Sequence, residues 1–226
     1  MKKINIAILG SIGVGKTTLL EQIETRLKNI SDSVLVQPEP SVTIPFVNEV
    51  LKKFYNDNSG WSFPLQLSIS AAQEAYMQEL RDADYEYALF DAPYSSDIYG
   101  YSHAKRGRMS IEDFHALVSI GRPFKFDVVI QISEDKETTI SRISKRNRRV
   151  EEGDMDPDKK DVSINDYSYL DSHIEDFSEY FPVYINKFRC YNPDTKIIKI
   201  THIPELGSNE YNDLLDMILS EIFKKG

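Results

Sequence analysis

The chain has 226 residues, 41% of them apolar, and a formal net charge of −9. That length and composition fit one domain, 1–226, with its own core. The acidic balance argues against broad binding to nucleic acid or anionic membrane, and no apolar run approaches the ~20 residues of a membrane span. The single cysteine, Cys190, excludes an intrachain disulfide and a cysteine zinc cluster and suits a reducing, cytoplasmic compartment.

The first apolar run, Ile4–Leu9, is too short and too quickly followed by glycines for a signal peptide. It reads instead as a strand buried on both faces. The string behind it, Gly10-Ser-Ile-Gly-Val-Gly15-Lys16-Thr17, fits G-x-x-x-x-G-K-[ST] and leads into helix-period Leu19, Leu20, Ile23 and Leu27. In such a loop the glycines let backbone N–H groups turn inward on phosphate oxygens. Gly13, Gly15, Lys16, Thr17 and Thr18 are therefore the expected phosphate contacts, helped by the helix dipole, with the Thr17 hydroxyl suited to magnesium.

A second strand, Val34–Val36, runs into Gln37-Pro38-Glu39-Pro40. Ligands of open α/β sheets sit beyond the carboxyl ends of strands, so Glu39 is a candidate base for an attacking hydroxyl. Taken alone it would be a surface turn residue. A long apolar stripe at Leu65, Ile69, Ala72, Tyr76 and Leu80 predicts a helix. The third strand, Tyr87–Phe90, ends in Asp91, where an acid holds magnesium or caps the following turn. The fourth is Phe126–Ile132, and the next helix carries Arg142, Lys145, Arg146, Arg148 and Arg149. Arg142 and Arg146 share a helix face, and such a segment over a phosphate loop neutralises charge in phosphoryl transfer; otherwise it is a solvated basic helix. Glu151 to Asp161 holds six acids and reads as a solvated loop. A fifth strand, Lys196–Ile200, and a helix marked by Leu214, Leu215, Ile218 and Ile222 complete the chain. Buried strands alternating with helices predict an α/β fold with a parallel sheet.

No N-K-x-D guanine motif is present; the nearest string, Asn186-Lys187-Phe188-Arg189, lacks the aspartate. The absence of D-x-x-G after a strand and of a transport-ATPase signature also favours phosphoryl transfer to a small molecule.

From residue 4 to about 190 this order of motifs resembles the deoxynucleoside kinases, the family of deoxycytidine, deoxyguanosine, deoxyadenosine and insect-type broad-range kinases. The resemblance rests on the loop Gly10–Thr17, on Glu39-Pro40, on Tyr55 six residues before Trp61 with Gln66 following, and on Arg142-Ile-Ser-Lys-Arg146-Asn-Arg148. It implies a P-loop kinase fold: a five-stranded parallel sheet flanked by helices, with a helical arginine lid at about 142–161, often a homodimer. It implies ATP as donor with Mg2+ at Thr17 and Asp91, Glu39 as base, and Lys16, Arg142 and Arg146 as catalytic cations. Arg148 is implied on the donor phosphates, although one inserted residue lets Arg149 compete for that place. Tyr55 and one of Glu151 and Glu152 would hold the sugar 3′-hydroxyl, and Gln66 would pair with the base.

Two departures stand out. The family's strand-end Glu/Asp-Arg-Ser reads Asp91-Ala92-Pro93, so a phosphate-steadying arginine is missing, and Arg142 is the expected substitute. Seven residues after Gln66, where deoxycytidine- and purine-type members carry arginine, stands Gln73. Asp97 matches the acid beside the base. Tyr101 falls where a stacking aromatic is expected, or is a core tyrosine.

The leading expectation is ATP-dependent phosphorylation of a deoxynucleoside 5′-hydroxyl, leaning to a purine. A nucleoside monophosphate or modified-nucleotide kinase is the alternative within enzymes, with Lys105, Arg106 and Arg108 available for an acceptor phosphate. A non-catalytic nucleotide-binding regulator is a third reading, against which Lys16, Glu39 and Asp91 all count. A nucleic-acid binder is disfavoured by charge.

Overall fold

The computed structural model describes residues 3–120, 123–151 and 167–224, with the side chains of residues 42, 146–151 and 167–171 outside that description. Five strands, β1 (Ile4–Leu9), β2 (Val34–Gln37), β3 (Tyr87–Asp91), β4 (Val128–Ile132) and β5 (Lys196–Ile200), form one sheet in the order β2-β3-β1-β4-β5. Every pairing is parallel. The connections carry helices α1 (Lys16–Lys28), α2 (Pro40–Thr43), α3 (Pro45–Asn56), α4 (Asn58–Asp82), α5 (Ser95–Lys105), α6 (Ile111–Ile120), α7 (Lys136–Glu151) and α8 (Tyr167–Tyr191), and α9 (Asn209–Phe223) follows β5.

Alternation along the strands feeds two cores. Ile4, Ile6, Ile8, Leu89, Val128 and Ile130 face α1 and α9, where Leu19, Ile23, Leu27, Leu215, Ile218 and Ile222 close the layer. Ala7, Leu9, Ala88, Phe90 and Val129 face the other way, against Met77 and Leu80 of α4 and the aromatic face of α8, Phe177, Phe181, Tyr184 and Phe188. Burial on both faces is why these strands read as continuous apolar runs.

The predicted Leu65–Leu80 stripe is shifted on one flank. Leu65, Ile69 and Leu80 are buried, but Gln66, Gln73 and Met77 go inward where Ala72 and Tyr76 were expected. Two buried glutamines on one helix face need partners inside the protein, because a buried amide is costly unless hydrogen-bonded. Gln73 finds its partners in the turn after β3, whereas Gln66 Oε1 finds none among the described residues, and that contrast marks the site.

Candidate active site

The central strand β1 delivers the chain into the glycine loop at the carboxyl edge of the sheet. Gly13 and Gly15 have φ of 77° and 96°, a region open to glycine at no steric cost. A Cβ on Gly13 would come within 2.5 Å of Ile143 Cγ1, so α7 lies directly on the loop. Lys16 Nζ donates to Ser11 O at 2.9 Å, folding the side chain back over the loop. Thr17 Oγ1 donates to Asp91 Oδ2 at 3.0 Å, which joins the start of α1 to the buried end of β3. Two hard oxygens at one point suit a magnesium ion that takes its other ligands from phosphates and water.

Beside the loop lies a cleft of about 740 Å³ lined by Gly15, Thr18, Arg142, Lys145, Ile203 and Tyr211, among others. Arg142 is built into its wall. Its guanidinium donates to Val14 O (3.1 Å) and Ile203 O (2.7 Å) and lies 3.1 Å from Glu134 Oε2. Glu134 also meets His202 Nδ1 at 3.0 Å and accepts from Ile203 N. Arg142, expected to make up for the arginine missing at Ala92, is held here by three acceptors among the loop, the residues after β4 and the segment after β5. Arg146 and Arg148 lie on α7, but their side chains and that of Glu151 are outside the described residues, as is all of Glu152.

On the other side of Asp91, Glu39 ends the β2 connection as the residue before α2, exposed, and accepts from Ser41 Oγ at 2.5 Å. Tyr55 and Trp61 pack on the small core of Val47, Val50, Phe54, Leu65 and Ile69 formed by α3 and α4. Gln66 is 2% exposed, and its Oε1 has no hydrogen-bond partner among the described residues. Its backbone O accepts from Ser96 Oγ at 3.0 Å, which staples α4 to the first turn of α5.

Gln73, expected beside the base, is a backbone splint instead. Its Nε2 donates to Ala92 O at 3.2 Å and its Oε1 accepts from Tyr94 N at 3.0 Å. The turn it holds is strained, since Ala92 and Tyr94 have φ of 43° and 59°, left-handed values uncommon outside glycine. Tyr184 adds a third brace by donating to Pro93 O. The Asp-Ala-Pro departure thus comes with its own supports, which an arginine at position 73 would not supply in this form.

Asp97 follows on α5 and pairs with Lys187 Nζ at 2.6 Å. Burial pushes its carboxyl up and Lys187 pulls it back, with a net rise. Tyr101, expected as a base-stacking ring, stacks on Tyr180 with centroids 4.5 Å apart and donates to Glu179. It packs with Met109, Phe114 and Leu117, so its core reading is the one its contacts favour. Lys105 and Arg106, candidates for an acceptor phosphate, are taken up by α8. Arg106 binds Asp176 through both Nε and Nη2 at 3.0 Å, and Lys105 lies 2.9 Å from the same carboxylate. Glu134, Tyr184, Ser96 and Lys187 carried no sequence signal; apart from Arg142, eight residues from Glu134, their partners are dozens of residues away.

A glycine loop opening α1, a strand-end acid on its threonine, and a helix laid on the loop define a P-loop kinase. A family model for deoxynucleoside kinase matches residues 6–180, and the chain belongs to that family. It phosphorylates a deoxynucleoside. Its sequence is 28% identical over 154 residues to the deoxyadenosine/deoxycytidine kinase of Bacillus subtilis (strain 168), covering 65% of this chain and 67% of that protein. Structures of deoxyadenosine kinase from M. mycoides share the fold at 18% identity. The dATP complex gives a TM-score of 0.68 over 97% of this chain and 99% of that one. A complex with dCMP and a flexible dCDP gives 0.69, over 98% and 100%.

Proposed function

We propose that this kinase, a single catalytic domain, transfers the terminal phosphoryl group of ATP to the 5′-hydroxyl of a deoxynucleoside whose base carries an exocyclic amine, adenine or cytosine. The observation that carries this reading is the unpartnered Oε1 of buried Gln66. A buried carbonyl oxygen without a donor is costly, and an exocyclic amine supplies one while the amide Nε2 donates to the neighbouring ring nitrogen. The name of the Bacillus relative, which pairs deoxyadenosine with deoxycytidine, agrees with that donor–acceptor order.

The chain's own groups have these roles. The loop N–H groups and Lys16 hold the donor phosphates, and the neighbouring cleft receives the donor base. Glu39 takes the proton of the attacking hydroxyl, and Tyr55 holds the sugar. Arg146 and Arg148 carry positive charge to the transferring group, and Glu151 or Glu152 meets the 3′-hydroxyl, by resemblance alone. Thr17 and Asp91 would hold Mg2+, which when bound screens the charge of the donor phosphates. Arg142 supports the donor cleft and the loop. The monophosphate-kinase alternative is weakened, since Lys105 and Arg106, two of its three candidate cations, are occupied by Asp176 and Glu179. A cytoplasmic homodimer completes the proposal; among the described residues no helix is long and apolar enough to cross a membrane.

The test is phosphoryl transfer from ATP with Mg2+ across a panel of deoxynucleosides and their monophosphates. Deoxyadenosine or deoxycytidine should be the best acceptor. Thymidine as the best acceptor by a wide margin would overturn the base assignment, and turnover of monophosphates alone would overturn the acceptor.

A further inference from the structure

The ion pair between α5 and α8 is shielded. The Asp97 side chain is 8% exposed and that of Lys187 is 16% exposed. Lys187 Nζ has one oxygen partner among the described residues, Asp97 Oδ2, and lies 4.4 Å from the centroid of the Tyr94 ring. Asp97 Oδ1 makes no hydrogen bond among the described residues. One lobe of the carboxylate is therefore anchored and the other is uncommitted, one residue along α5 from the Ser96 staple that bonds Gln66.

We propose that Lys187 is a positioning residue for base selection: it fixes the Asp97 carboxylate as a pure acceptor for the exocyclic amine of the acceptor's base, so that amino-bearing bases are preferred over oxo-bearing ones. The proposal rests on the acceptor reading above and deepens it. An exocyclic amine has two hydrogens; Gln66 Oε1 takes one and Asp97 Oδ1 the other. An ionised carboxylate accepts only, and it repels the carbonyl oxygen that hypoxanthine or uracil presents in the same place.

The charge state of Asp97 matters because a protonated carboxyl would also donate, and would then tolerate a carbonyl. Among the described residues, the titratable groups that interact with the charge of Asp97 besides Lys187 are phenols: Tyr94, just ahead of α5, and Tyr180, Tyr184 and Tyr191 from α8. All four are shifted up, chiefly by burial, and so are neutral near pH 7. Lys187 is the group that offsets the burial of Asp97. The family arginine at position 73 is replaced by Gln73, which braces the Ala92–Tyr94 turn, so here the cation comes from α8.

Two substrate pairs isolate the effect, deoxyadenosine with deoxyinosine and deoxycytidine with deoxyuridine, because each pair exchanges an amine for a carbonyl at nearly constant shape. In Lys187→Met the amino-to-oxo ratio of kcat/KM should fall at least about tenfold, with the loss mainly in KM of the amino member. Lys187→Arg should keep the ratio. Asp97→Asn should lower it as far as Lys187→Met does, and the double variant no further. Lys187→Gln, which retains a donor but no charge, reads the same ratio should the methionine variant fail to fold. An unchanged ratio in Lys187→Met or Lys187→Gln, with both members of each pair slowed alike, would overturn the role given to Lys187. A wild-type enzyme with no preference for the amine would instead overturn the acceptor reading itself.

Discussion

The Arg142 guanidinium lies 3.1 Å from the Glu134 carboxylate and, through its other hydrogens, holds Val14 O of the phosphate loop and Ile203 O after β5. One side chain on the lid helix thus ties together the loop, the end of β4 and the wall of the donor cleft. A planar fork spreads its donors over separate nitrogens at fixed angles, whereas an ammonium's three donors all leave one nitrogen and cannot span the same acceptors.

Arg142→Lys should therefore weaken donor binding more than it slows chemistry. Lost charge-assisted hydrogen bonds of about 1.5–3 kcal/mol each, partly regained by the ammonium, correspond to a rise in KM for ATP of about tenfold. Adding Ala92→Arg should give no rescue, because the guanidinium of Arg142 is held on the donor side. Steady-state kinetics on the single and double variants checks both points, and recovery of the donor KM in the double variant would contradict them.

Glu39→Gln should lower kcat by roughly 10²–10⁴-fold with nucleoside binding little changed. The amide oxygen can still accept from Ser41 Oγ, so the local structure is kept while the basic site is lost. Single-turnover measurements with saturating ATP decide it; an unaltered chemical step would reduce Glu39 to a turn residue.

The strained turn after Asp91 offers a stability test. Gln73→Ala leaves the buried Tyr94 N–H without its partner, while Ala92 O keeps Ser95 N, and should cost about 1–3 kcal/mol. Ala92→Gly should relieve the left-handed conformation and stabilise by about 1 kcal/mol. Both are read by denaturant unfolding. A destabilising Ala92→Gly would mean that the turn is not under strain.

Stability should also fall in acid through His103. Burial, with His173 and Arg108 nearby, pushes this imidazole down to about 3 from its ordinary 6.5. The unfolded chain therefore binds a proton below pH 6.5 that the folded chain refuses until about pH 3. Its contribution is complete above pH 6.5 and is lost as pH falls towards 3, at up to about 1.4 kcal/mol per pH unit. Unfolding free energy measured against pH should have a shallower slope in that window for His103→Gln than for wild type; parallel curves would refute the assignment.

Much of this was legible in the sequence. Ile4–Leu9 and Tyr87–Phe90 read as strands because both faces are buried, and the glycine loop is a local motif whose chemistry is written in eight consecutive residues. Glu39 and Asp91 followed from their places at strand ends. What could not be read was allegiance across the fold. Arg142 and Val14 are 128 residues apart, and Lys187 and Asp97 are 90 apart. A charge or amide in a sequence announces what it can bond but not which candidate will reach it. Gln73 shows the same limit: its amide suits a base edge as well as a bent backbone, and the packing of α4 sets it on the turn.

The strand order β2-β3-β1-β4-β5 also ranks the site by how soon each part comes apart. The phosphate loop and Asp91 hang from β1 and β3, which are flanked by strands on both sides. Glu39 hangs from β2, an edge strand of four residues, and the Ile203 wall of the donor cleft from β5, the other edge. Fraying begins at edges, where each strand has one neighbour to lose. A chain partly opened by heat or denaturant should first give up proton abstraction and donor-base recognition while its grip on phosphate survives. Binding of inorganic triphosphate, read by calorimetry, should accordingly persist into conditions where turnover has ended, and amide exchange should be slowest along β1.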